Sequence, residues 1–297
     1  MTLDQAPQAS TPERGPLAII AGGGPLPLIV ADAAARAGRP VFIAGIDGEA
    51  DPTIARYPHE FIKWGQFGRL EALLAEHGTK ELVLVGTITT RPDVKNLKLD
   101  FGAVRLVARV AVLLMRGDND LLSGLVGMFN ERGYNVVGAH EVAPELVASS
   151  GQIGAHAPDK GANRDARRAM RAARVIGKLD AGQAAVVVNG LIVALEAYEG
   201  TDGLIERVGK LRETGRVRWK GRAGVLAKCA KPQQDLRVDM PTIGVRTVRA
   251  AAAAGLAGIA VETGRVMIVD RAAVVELADK EGLFIIGREK DEGRPSP

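Results

Sequence analysis

Between Leu17 and Val85 short apolar runs alternate with helical stretches, and this alternation limits the fold more than any other feature of the chain. Leu17–Ala21, Val41–Ala44, Phe61–Trp64 and Leu82–Val85 read as strands. One helix follows the turn Gly22-Gly23-Gly24-Pro25 and ends near Gly38, and another spans Leu70–His77 before Gly78. Parallel neighbours need crossover connections, so this order predicts a Rossmann-like parallel sheet covered by helices.

Helices are predicted over Phe101–Met115 and Asn119–Arg132, the second capped by Asp118, and a strand over Tyr134–Gly138. Ser149–Asp165 is aperiodic and rich in glycine and small polar residues, which marks a domain boundary. The second half opens with a helix over Ala166–Leu179, whose Arg167, Arg168, Arg171 and Arg174 read as a solvated face. Two β-branched runs then flank Asn189-Gly190, a pair suited to a type I′ hairpin because both positions tolerate positive φ. Thr201 is placed to cap a helix from Asp202 to Leu211. Strands over Val225–Lys228, Ile259–Val261, Val266–Val269 and Leu283–Ile286 alternate with helices over Val245–Gly255 and Ala272–Lys280. The hairpin makes this second sheet mixed. The expected organisation is a disordered tail (1–14), an N-terminal domain (15–150), a boundary loop (151–165), a C-terminal α/β domain (166–288) and a frayed tail (289–297).

Composition narrows the function. Aromatics are only 4% of the chain and the net charge of +4 is not gathered into any block, so no nucleic-acid partner is expected. The single cysteine, Cys229, excludes an intrachain disulfide and a Cys-rich zinc site, and its apolar neighbours predict a buried, inert thiol. The four histidines are scattered without metal-ligand spacing. No run approaches the roughly 20 apolar residues that span a bilayer. The glycines and prolines of GGGPLP argue against an export helix, so a cytoplasmic protein is expected.

Four stretches could carry chemistry. In Ala21–Pro27, Gly23, Gly24 and Leu26 follow a strand and open a helix, where backbone N–H groups can meet a phosphate or ribose. The spacing matches neither the dinucleotide fingerprint nor a P-loop, and a plain tight turn fits equally well. Thr87 and Ile88, in Gly86–Pro92, lie at the carboxyl end of a strand on the same sheet edge, where open α/β sheets bind ligands. Glu196, Glu199 and Asp202 could face one site, or could simply suit a helix dipole. In Lys228–Gly244, Lys228 and Lys231 can neutralise phosphate, while Asp235 and Asp239, with Arg237 between them, can hold a metal ion or a water. Asp239, Asp235, Asp202 and Glu199 together suit magnesium-assisted phosphoryl chemistry, with a solvated loop of surface ion pairs as the alternative. A nicotinamide-dependent oxidoreductase and a non-catalytic nucleotide-sugar binding module remain as rival readings.

The stretches IIAGGGPLP, VGTITTRP, VVGAHEVAPEL, EAYEGTDGLIER and KCAKPQQDLRVDMPTIG together resemble the UDP-2,3-diacylglucosamine pyrophosphatase family of the LpxI type, from about Leu17 to Gly287. The last two motifs are the specific ones. The resemblance implies two α/β domains with a substrate cleft between them. It also implies Mg²⁺-dependent hydrolysis of UDP-2,3-diacylglucosamine to UMP and 2,3-diacylglucosamine 1-phosphate (lipid X) in lipid A biosynthesis. It assigns catalysis to Asp239 and places Lys228 and Thr201 near the diphosphate or sugar. Val136 and the loop Ile153, Gly154, Ala155, His156, Ala157 and Pro158 are expected to contact substrate. A homodimer and peripheral contact with the inner face of the inner membrane are the corresponding expectations for partners. The apolar helix Phe101–Met115 is expected to line a groove for acyl chains, with core packing as the plainer account of most of its residues.

Overall fold

The computed structural model describes residues 14–90 and 118–290. The expected helix Phe101–Met115 lies outside them, as do most of both tails. The chain forms two compact units that part at Val142 and Ala143. The boundary therefore falls ahead of residues 151–165, because Gly151–Ile153 is itself a strand of the second unit.

In the first unit, β1 (Leu17–Ala21), β2 (Val41–Ile46), β3 (His59–Ile62), β4 (Glu81–Val85) and β5 (Asn135–Val136) form one sheet in the order β3-β2-β1-β4-β5. Every pairing in it is parallel. Helices α1 (Leu26–Arg36), α2 (Phe67–Glu76), α3 (Asp118–Glu131) and α4 (Ala139–Val142) connect or follow the strands. The order reverses between β1 and β4, which makes their carboxyl ends the switch point where such sheets open a crevice. Leu17, Ile19, Ile43 and Leu82 are fully buried, as strands covered on both faces must be.

The second unit holds a six-stranded sheet in the order β6-β13-β11-β9-β7-β8. Its strands are β6 (Gly151–Ile153), β7 (Ala184–Val188), β8 (Leu191–Leu195), β9 (Val225–Lys228), β11 (Gly258–Glu262) and β13 (Phe284–Arg288). β9, β11 and β13 are parallel, while β7 runs antiparallel to β8 and β9, and β6 antiparallel to β13. β10 (Thr242–Ile243) and β12 (Met267–Ile268) form a separate parallel pair. α5 (Lys160–Lys178) covers one face, burying Ala166, Ala169, Met170 and Ala173 against Val187, Val225, Ala227 and Ala260. The other face carries α6 (Gly200–Glu213), α7 (Val245–Ala253) and α8 (Arg271–Lys280) over a larger aliphatic cluster. The sequence expectation of a parallel α/β domain followed by a mixed-sheet α/β domain is met.

The β7–β8 hairpin shows how local chemistry sets this architecture. Asn189 and Gly190 both take positive φ (49° and 79°), as the type I′ turn demands. Their amides donate to the two oxygens of Asp165 on α5, at 2.8 and 2.7 Å. Asp165 is only 4% exposed, so the turn and the helix are joined by a carboxylate out of water. Asp165→Ala strands two amide donors, and urea unfolding is expected to show a loss of about 3 kcal/mol. A loss below ~1 kcal/mol would mean that the turn holds without the clamp.

Candidate active site

The carboxyl ends of β1 and β4 are drawn together by glycine. Gly22 and Gly23 donate to the carbonyls of Val85 and Thr87 at 2.9 and 2.8 Å, and Thr87 donates back to Gly23 at 2.9 Å. A Cβ on Gly22 would stand 2.6 Å from the Thr87 carbonyl oxygen, so only glycine permits this approach. These amides are consumed by the neighbouring loop, which corrects the expectation that Gly23 offers its N–H to a phosphate. Gly24, with φ of +85°, turns the chain into α1. Thr87 and Ile88 are exposed at the same edge as Gly24 and Leu26. Val136, by contrast, is a buried core residue of β5.

Glu49, which no local pattern singles out, holds the loop after β4. Its carboxylate accepts the amides of Thr89 and Thr90 at 2.9 and 2.7 Å, and both hydroxyls as well. These bonds, the Thr90 hydroxyl foremost, draw its pKa down to about 2.

In the second unit a lysine organises the site. Lys228 ends β9 with 8% exposure, and its Nζ donates to the Thr242 carbonyl at 2.9 Å. Burial depresses its pKa below the usual lysine value, and the nearby charges of Glu196, Asp202 and Asp239 partly restore it. Glu196, at the end of β8, is also buried, and accepts the Gln183 amide at 2.9 Å and the Thr201 hydroxyl at 3.0 Å. α6 begins at Gly200, two residues earlier than expected, so Thr201 lies inside the helix and serves Glu196 instead of capping. Buried Gln234 donates its Nε2 to Asp239 Oδ2 at 2.6 Å, and its Oε1 accepts the Lys231 amide. No described residue bonds the other oxygen of Asp239, Oδ1.

The four proposed metal carboxylates are not brought together. Asp235 is closed by Arg237 in a two-pronged pair at 2.9 and 2.7 Å, which lowers its pKa. Asp202 pairs with Arg246, and Glu199 with Arg207. Among the described residues no group of three or more His, Cys, Asp or Glu is arranged to hold a metal ion. A protein-built cage does not fit these residues. A magnesium ion held by Asp239 does, because Mg²⁺ is commonly bound by one or two carboxylates with substrate phosphates and waters completing its shell. Lys231 ion-pairs with Asp180 at 2.8 Å.

The loop Ile153–Pro158 lies elsewhere. Because β6 is antiparallel to β13, Ile153 is carried to the amino-terminal end of that strand, opposite the end of the sheet where Lys228 lies. Ile153 is buried, the Ala155 amide donates to Asp279 at 2.7 Å, and His156 Nε2 meets the Asp279 carbonyl at 3.0 Å. Gly154, Ala155, His156, Ala157 and Pro158 therefore do not join the Lys228–Asp239 group. The direction of one short strand decides this, and direction is invisible in local sequence.

Cys229 adjoins the site without belonging to it. Its side chain is buried against the Met170 carbonyl, and burial pushes its pKa up to about 12. Thiolate is the reactive form, so native protein at pH 8 is expected to resist iodoacetamide while urea-unfolded protein is alkylated. Equal labelling rates in the two states would make the thiol accessible after all.

Comparison with known proteins places this geometry in a family. Residues 16–146 match the LpxI N-terminal domain and residues 149–286 the LpxI C-terminal domain. The chain is 41% identical over 276 residues to the UDP-2,3-diacylglucosamine pyrophosphatase LpxI of Caulobacter vibrioides, covering 93% of this chain and 98% of that protein. With both domain matches in chain order and a full-length relative at this identity, the chain belongs to the LpxI family.

Proposed function

We propose that the protein is a hydrolase that cleaves the pyrophosphate of UDP-2,3-diacylglucosamine to UMP and 2,3-diacylglucosamine 1-phosphate, in lipid A biosynthesis. Family membership supports the reaction. The observation that carries the site is the buried Lys228 ammonium set among Glu196, Asp202 and Asp239. A desolvated cation beside a half-buried carboxylate is suited to a diphosphate and an attacking water.

In this reading Lys228 draws the diphosphate oxygens to the end of β9 and offsets the charge that builds on them. Asp239 presents Oδ1 to the water while Gln234 fixes Oδ2, so the carboxylate cannot rotate away. Water adds to the phosphorus on the sugar side, the bond to the bridging oxygen breaks, and UMP leaves with that oxygen. Glu196 keeps Thr201 and the start of α6 in place beside the lysine. A magnesium ion anchored at Asp239 would supply Lewis-acid neutralisation of the phosphate oxygens.

The test is release of UMP from UDP-2,3-diacylglucosamine in magnesium, abolished by EDTA and restored by added metal. Substrate that binds without releasing UMP would mark a binding module instead. Asp239→Ala is expected to retain substrate binding and lose ~10²-fold or more in kcat. Near-normal turnover would remove Asp239 from the mechanism. Gln234→Leu leaves the carboxylate in place but unheld, and about a 10-fold fall in kcat with little change in KM is expected. Unchanged kcat would reduce Gln234 to a packing role.

A further inference from the structure

The exposed face of α5 carries cations and no acid. Lys160, Arg164, Arg167, Arg168, Arg171 and Lys178 recur at spacings of three, four and seven, which sets them on one side of the helix. All six are exposed, and the only acidic residue of α5, Asp165, is turned inward to the hairpin. Among the described residues no ion pair engages Arg164, Arg167, Arg168 or Arg171. Arg39, Arg56, Arg132, Arg222 and Arg246, by contrast, all find carboxylates.

Large apolar side chains interrupt this face toward its carboxyl end. Val175 is 55% exposed and Leu179 is 75% exposed. The edge strand β8 extends the apolar area. Ile192 and Leu195 pair with Val187 and Ala185, residues that face α5, so their exposed side chains emerge on the α5 side of the sheet. Tyr198, just beyond the strand, is fully exposed.

This surface borders the candidate active site. Gln233 donates to the Gly177 carbonyl at 3.2 Å, and Lys231 ion-pairs with Asp180, so the end of α5 touches the loop that carries Gln234. Leu195 immediately precedes Glu196, whose carboxylate bonds the Gln183 amide. The apolar side chains thus fringe the site, with the cations extending away from it along the helix.

From these observations we infer that the exposed face of α5, with Val175, Leu179 and the β8 edge, is the surface by which the protein docks on an anionic lipid bilayer. Clustered cations gain from the negative potential at such a surface, and shallow apolar side chains add burial at the headgroup boundary. A second copy of the chain docked symmetrically fits poorly, since the two cationic helix faces would repel. The choice of a bilayer over other polyanions rests on the lipid substrate proposed above, because a site fringed by membrane-seated side chains could take a lipid without extracting it fully into water.

Flotation with vesicles and no substrate tests the docking apart from the reaction. Full-length protein is expected to float with vesicles of phosphatidylcholine and phosphatidylglycerol in equal parts, and to stay at the bottom with phosphatidylcholine alone. Arg164→Glu/Arg168→Glu/Arg171→Glu should lower the floated fraction by about 10-fold, while Arg164→Lys/Arg168→Lys/Arg171→Lys floats as the parent does. Val175→Ser/Leu179→Ser should lower flotation most in high salt, where the electrostatic part is screened. On substrate dispersed in a neutral detergent, the charge-reversed variant should turn over as the parent does. The proposal is overturned if the parent does not float, or if the charge-reversed variant floats equally. Binding of duplex DNA or self-association through this face, without flotation, also overturns it. Flotation without UMP release would uphold the docking surface and sink the proposed reaction instead.

Discussion

An ammonium group kept out of water at the end of β9 is the constraint to which the second unit answers. Burying a charge costs several kcal/mol unless partners compensate it, and Lys228 has one carbonyl bond and the field of three carboxylates. Glu196 is fixed by a backbone amide and a threonine hydroxyl, and Asp239 by a glutamine amide. Each is held by a neutral donor, so its negative charge remains available to the lysine and to whatever binds there. Had arginines closed Glu196 and Asp239, as they close Asp235 and Glu199, the lysine would have lost that compensation.

The surrounding sheet explains why these groups meet. β8 and β9 run the same way on either side of β7, so Glu196 and Lys228 arrive at one end of the sheet from segments well separated in sequence. The peptide from Lys231 to Asp239 then folds back over that end, with Asp239 donating its amide to the Asp235 carbonyl at 3.0 Å. The same end of the sheet receives the carboxyl terminus of α5. A chemical site and a cationic, partly apolar surface are thereby built from adjoining residues.

Much of the architecture is legible in the sequence because it is locally encoded. The type I′ turn needs only Asn189 and Gly190, and the parallel first sheet follows from short apolar runs alternating with helices. What escapes a sequence reading is set by distant partners. Arg246 claims Asp202, Asp279 claims Ala155 and His156, and Glu49 claims Thr89 and Thr90, none of them signalled by spacing. The boundary loop is aperiodic because a three-residue edge strand is too short to show alternation. Gln234 carries no signal of its own, since a glutamine beside an aspartate in a proline-bearing loop looks like ordinary solvated sequence.

The Glu49 latch in the first unit has a consequence for recognition. A loop whose amides and hydroxyls are already gathered on one carboxylate has little backbone freedom left to surrender when a ligand arrives, so less of the contact energy is lost to ordering. The latch is also acid-tolerant. Its folded pKa is depressed from 4.5 to about 2, so its contribution is complete above the unfolded value and fades only as pH falls toward the lower one. The ribbon beside the switch point should therefore stay pre-shaped in mildly acidic conditions that would already neutralise an ordinary glutamate.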